Sequence, residues 1–314
     1  MTPGRIAFLS AHISGSVKLD YLVRRGCRPA AVVTLDASSA TRHGLAGYVD
    51  PGEAARRHGI PVRYVTDFAM KGADDQAYFR ESAFDLLVIS GWQRLVPAEI
   101  LATFRYGAIA EHGSAEYLPR GRGRSPVGWA LATGQRRFVL HLFRAEPNVD
   151  GGPILDYCAL ELNPFDDINS VYCKIGIASG QLLLKHIDAI LSDRAVFYPQ
   201  RDEAPSFTRR RTEDDDYIDW RAPTAQIHAL IRATTRPYPV AKARLNGRLI
   251  LIRDAVPFDR FLDFYREAVG EIVAVFPDGS FAVKTVDGSL LVRGYDYDGQ
   301  VRAGEKFEEQ AKQG

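Results

Sequence analysis

Residues 107–126, GAIAEHGSAEYLPRGRGRSP, with VDGGP at residues 149–153, decide how this chain is read. An extended apolar run delivers a lone histidine, His112, and then breaks into the Arg/Gly/Pro loop LPRGRGRSP; Asp150 follows 38 residues after the histidine. A histidine and an aspartate at the ends of successive strand-like runs, each followed by glycine and proline, meet at one sheet edge, where they serve proton transfer and charge stabilisation. Strand alternation puts Ala110 and His112 on one face and Glu111 on the other, so Glu111 is not a partner for His112.

Working outward, the short apolar runs Ile6–Leu9, 30–35 and Leu86–Ile89 lack polar alternation and read as buried parallel strands. Amphipathic segments at 17–25, 51–58 and 74–82 lie between or beside them, and the alternation predicts a Rossmann-like, doubly wound α/β sheet with helices on both faces. A long amphipathic run, Ile168–Leu191, closes this domain. Residues 196–216 are polar and charged and read as a linker. Beyond them come a helix at Thr224–Ala233 and short strands with turns at Asn246-Gly247, Asp278-Gly279 and Asp287-Gly288. The expected organisation is therefore a catalytic domain at 1–195, a linker at 196–216 and a small β-rich, barrel-like domain at 217–314.

Composition narrows the function. Hydrophobic residues make up 46% of 314, enough for two cores. The net charge of +1 supplies no broad positive field, which argues against nucleic acid or an anionic membrane as partner. Three separated cysteines without C-x-x-C predict neither a disulfide scaffold nor a metal site, and the absence of a long apolar run predicts a cytoplasmic protein. Ser10 and His12, at a strand end before a helix, offer an anion site or a plain N-cap; G-x-G-x-x-G is absent, so a dinucleotide reading is weak. Ser114 and the loop arginines Arg120, Arg122 and Arg124 suit an anionic substrate, with a solvated basic loop as the alternative.

The run GAIAEHGS…LPRGRGRSPVGWAL resembles the formyltransferase pattern N-x-H-x-S-L-L-P-x-x-R-G-x-x-P, and VDGGPILD is similar to that family's L-D-x-G-x-I segment. YPQ…SFTRRR…YIDW, residues 198–220, resembles the linker and second-domain start of methionyl-tRNA formyltransferases and the related amino-sugar formyltransferases. The resemblance implies transfer of a formyl group from N10-formyltetrahydrofolate to an amine, with His112 and Asp150 on the catalytic histidine and aspartate. Ala110 stands where the family has a catalytic asparagine. That side chain donates to the oxyanion, and loss of one such donor costs about 2.7–4 kcal/mol of transition-state stabilisation. His141, where the family usually has threonine, is the candidate replacement donor or second titrating group, provided that it faces the site.

The resemblance also places Ser90, Gly91, Trp92, Gln93 and Leu95, with Asp150, around the folate; Trp92 is either a flat wall for the ring system or core. The leading expectation is a small acceptor, a nucleotide-linked amino sugar, followed by a siderophore-type amine. A divergent C1 or acyl transferase with another donor, a methionyl-tRNA formyltransferase, and an inactive folate or sugar-nucleotide binder remain open, as does oligomeric state.

Overall fold

The apolar runs do become the centre of a sheet. In the computed structural model, which describes residues 4–309, β1 (Ile6–Leu9), β2 (Ala31–Thr34), β3 (Val62–Tyr64), β4 (Leu86–Ile89) and β5 (Ala108–Ser114) pair in parallel in the order 3-2-1-4-5. The two-residue β6 (Arg122–Gly123) lies apart from this sheet, while β7 (Arg137–Arg144) and β8 (Ile154–Glu161) extend it antiparallel beyond β5, giving seven strands. β1, β2 and β4 are buried at every position, as strands covered on both faces must be.

The helices among them are α1 (Ile13–Val23), α2 (Ala37–Arg42), α3 (Pro51–Arg57), α4 (Ala73–Glu81), α5 (Ala98–Leu101), α6 (Pro126–Ala132) and α7 (Ile168–Leu191). Period-two alternation sorts the core into two layers. Ile6, Phe8, Leu86, Val88, Ile109 and Leu142 face α1, α3 and α7 through Leu19, Ala55 and Leu183. Ala7, Leu9, Leu87, Ile89 and Ala108 face the other way, toward Phe79 of α4 and Ile100 of α5, with Ala110 packed against this cluster. α1 begins at Ile13, ahead of the expected residue 17, because the His12 ring caps it by accepting from the Ser14 amide at 3.3 Å.

The segment expected as a plain linker is tied down. Tyr198 bridges Ile154, and β9 (Phe207–Thr208) pairs in parallel with β6. A single 3-10 turn, Glu213–Asp216, follows.

The chain divides into two compact units that interleave in sequence: the first holds the chain up to Pro126 with Arg137–Glu161 and Asn169–Thr208, the second Val127–Arg136, Leu162–Ile168 and the chain from Arg209. In the second unit, α8 (Thr224–Ala233) accompanies β10 (Ala241–Leu245), β11 (Arg248–Pro257), β12 (Ile272–Val275), β13 (Phe281–Lys284) and β14 (Ser289–Tyr297), an antiparallel sheet in the order 10-11-14-13-12. Asn246 and Gly247 both take positive φ, 52° and 75°, as the tight β10–β11 hairpin requires. Backbone bonds from Glu308 to Arg244 and from Ile272 to Glu305 let the strand end near Phe307 span both sheet edges, which accounts for the barrel-like character. Among the described residues no helix is long and apolar enough to cross a membrane, and no cluster of histidine, cysteine or carboxylate side chains has metal-ligating geometry.

Candidate active site

His112 projects from β5 near the outer end of the parallel strands and is 8% exposed. Its Nε2 lies 2.8 Å from the Gly121 carbonyl; a carbonyl only accepts, so Nε2 carries hydrogen and Nδ1 is the nitrogen that exchanges a proton. Nδ1 faces Asp150 Oδ2 at 3.3 Å. Asp150 in turn accepts from the Gly123 amide at 3.0 Å, while its backbone carbonyl accepts from Gln200 Nε2 at 2.7 Å. The aspartate sits at φ 49°, a left-handed conformation that Asp tolerates better than bulkier residues. Glycine is obligatory nearby: a Cβ on Gly152 would stand 1.8 Å from the Arg144 carbonyl oxygen, and one on Gly113 would stand 2.2 Å from the Phe138 ring.

The β5–β7 register sets His112 directly opposite His141, and β8 adds Tyr157 in the same row. Opposed residues share a face, so His141 points to the His112 side of the sheet. His141 Nε2 accepts from the Leu118 amide at 3.4 Å, which leaves the proton on Nδ1; that buried atom has no hydrogen-bond partner among the described residues. Burial, assisted by the neighbouring His112 and Arg201, pushes this imidazole down to about 4, so it is a neutral N–H donor at pH 7.

Glu111 points the other way, as alternation requires. Its carboxylate meets Lys18 Nζ at 2.9 Å and Ser90 Oγ at 2.7 Å, and also accepts from Ser179 Oγ; the lysine side chain is wholly buried.

Several residues expected to touch substrate face inward. Ser10 is completely buried and its hydroxyl accepts from the His12 amide. His12 caps α1, packs edge-on against Tyr172 at 4.4 Å and is pushed down to about 4 by burial. Both therefore serve the strand-to-helix turn, with His12 as the N-cap of α1. Ser114 is 4% exposed and donates to the Glu116 carbonyl. Arg120 pairs with Glu116 at 2.7 Å, Arg122 donates to Gln200 Oε1, and Arg124 is exposed. The loop thus spends Arg120 and Arg122 on its own scaffold.

The segment after β4 is similarly occupied. Ser90 donates to Glu111, Gly91 turns at φ 67° against His12, and Gln93 Nε2 donates to the Ala46 carbonyl at 2.9 Å. Leu95 is half exposed, and Trp92 is 8% exposed with its ring edge-on to Phe68 at 5.0 Å. Trp92 is therefore core, yet its Nε1 has no acceptor among the described residues. Two buried donors without partners, Trp92 Nε1 and His141 Nδ1, belong to the sheet face that carries His112. A formylated pterin offers carbonyl oxygens to such donors, so the residues present fit a folate donor.

Sequence reasoning missed Gln200, Ser206 and Thr208, which hold the 118–126 loop through Asp150, Gly121 and Arg124. It also missed Tyr117, although SAEYLP carries two residues more than the S-L-L-P it resembles, a visible sign of a reshaped loop.

The arrangement of a buried histidine, a loop-held aspartate and a neighbouring neutral N–H donor is suited to acyl transfer. Comparison with known proteins agrees. A methionyl-tRNA formyltransferase from Halorhodospira halophila is 28% identical over 293 residues, 92% of this chain and 90% of that protein. HypX from Aquifex aeolicus in complex with tetrahydrofolic acid superposes with TM-score 0.67 at 16% identity over 93% of this chain, which spans only 44% of the HypX chain. The N-formyltransferase from Helicobacter canadensis in complex with folinic acid and dTDP-3-aminofucose gives TM-score 0.61 at 15% identity over 96% of this chain and 99% of its own. These structures share the fold. Formyl transferase patterns match residues 29–187, and the formyl transferase C-terminal domain matches 211–306, so the chain that carries this His–Asp edge belongs to the formyl transferase family of C1-group transferases.

Proposed function

We propose that the protein moves the formyl group of N10-formyltetrahydrofolate to the primary amine of a small acceptor, a nucleotide-linked amino sugar. The observation that carries the reading is the His112–Asp150 pair, 3.3 Å apart, with Asp150 also fixed by the Gly123 amide of the loop. The amine attacks the formyl carbon, a new C–N bond forms, the bond to N10 breaks, and the amine's proton ends on N10. Asp150 takes that proton and His112 Nδ1 passes it on, while the His141 Nδ1–H stabilises the oxyanion. His141 then stands in for the asparagine replaced by Ala110. The folate, when bound, supplies the activated formyl group.

The tRNA reading keeps one specific support, the 28% identity to a methionyl-tRNA formyltransferase over most of the chain. The acceptor assay separates the two. Purified protein is titrated with 5-formyltetrahydrofolate by calorimetry, then assayed for formyl transfer to dTDP- and UDP-linked amino sugars and to initiator Met-tRNA. Micromolar folate binding and turnover of an amino sugar, lost in His112→Asn, are expected. Absence of folate binding overturns the donor, and turnover of tRNA alone overturns the acceptor.

A further inference from the structure

With Arg120 held by Glu116 and Arg122 by Gln200, the cationic groups still available next to the His112–His141 row lie elsewhere. β7 alternates so that Arg137, Val139 and His141 share the face that carries His112. Tyr117, from the longer loop, lies over that face: its ring is 6.0 Å from the His141 ring, 5.4 Å from the Arg137 guanidinium and 4.9 Å from the Arg201 guanidinium. Tyr157 meets it edge-on at 5.3 Å and is 52% exposed.

The Arg137 guanidinium makes no hydrogen bond or ion pair among the described residues, and the Arg201 guanidinium has only a 3.9 Å approach to Glu203. Stacking on a tyrosine face positions a guanidinium without using its N–H edge. Two guanidinium groups braced on one ring, the Arg137 edge without an ion pair and the Arg201 edge with only the long contact to Glu203, suit the paired oxygens of a diphosphate. The four-residue step from His141 to Arg137 spans about 13 Å of strand, and the Tyr117 ring lies against both side chains.

We propose that Arg137 and Arg201, braced on Tyr117, bind the phosphates of an acceptor whose amine lies at His112, with the half-exposed Tyr157 ring beside its base. The subsite rests on the amino-sugar reading above and names the residues that select for it. A phosphate-bearing acceptor would thus be recognised by residues outside the arginine-rich loop.

The test is calorimetric titration of the full chain with dTDP, UDP and inorganic pyrophosphate, and separately with 5-formyltetrahydrofolate, for wild type and Arg137→Gln/Arg201→Gln. The nucleotides are expected to bind wild type and to weaken about tenfold or more in the double variant, with folate affinity and melting temperature unchanged. Tyr117→Phe, which keeps the ring, is expected to bind as wild type does. Equal nucleotide affinity in wild type and double variant overturns the subsite, as does a wild type that binds folate but neither nucleotide nor pyrophosphate. Failure of folate binding counts against the donor instead, and the nucleotide titrations still decide the subsite.

Discussion

In the proposed mechanism His141 takes the place of the family's asparagine. Its tautomer follows from one contact, because the Leu118 amide can only donate and so leaves the imidazole proton on Nδ1. If that proton stabilises the oxyanion, His141→Phe lowers kcat about 100- to 1,000-fold with little change in the KM for folate. Ala110→Asn placed in that background recovers part of the loss, whereas Ala110→Asn alone changes little. Steady-state kinetics on the three variants check this, and an unchanged kcat in His141→Phe sinks the donor role. Asp150→Asn is expected to lower kcat about 100- to 10,000-fold with the His112 geometry intact; near-normal turnover would remove Asp150 from proton transfer. At this scale the sequence was legible in the pairing of His112 with Asp150, which lie 3.3 Å apart. It was silent on Arg137 and Arg201, whose role depends on a tyrosine ring brought over them by the loop.

β5 presents opposite chemistry on its two faces, and the buried one has a testable energetic signature. Glu111 and Lys18 are 6% and 0% exposed at the side chain, and two serines complete the carboxylate's shell. Lys18→Met leaves a buried carboxylate without its cation and should cost about 3–5 kcal/mol. Lys18→Met/Glu111→Leu removes both charges and should be less destabilised than either single change, with the orphaned serine hydroxyls limiting the recovery. Urea midpoints of the three variants measure this; a double variant at least as unstable as the milder single one overturns it. β1, β4 and α7 were legible because long or fully apolar runs carry a clear period. β6 and β9 were not, since two residues each give no period and their pairing depends on Thr208 bonding to Arg122 and Arg124. That hidden pairing is what converts an apparent linker into a support for Asp150.

At the scale of the whole molecule, three histidines set the response to acid. His12 and His141 in the first unit and His228 in the second are each pushed from 6.5 down to about 4, with burial the leading cause. The folded chain therefore binds fewer protons than the unfolded chain between these values, and stability falls as pH drops through 6.5 toward 4. From pH 7.5 to 5.5 each histidine should withdraw roughly 1 kcal/mol, so the first unit should lose about twice as much as the second. The loss comes from keeping neutral imidazoles buried, and a residue that cannot titrate does not share it. His141→Phe should thus flatten the pH dependence of the first unit by about half, and His228→Phe should act only on the second. Chemical denaturation at the two pH values, followed by intrinsic fluorescence of Trp92 for the first unit and of Trp129 and Trp220 for the second, resolves the two contributions. Equal slopes in wild type and His141→Phe would mean that the imidazole titrates alike in the folded and unfolded chains, and burial would then not be what holds it neutral.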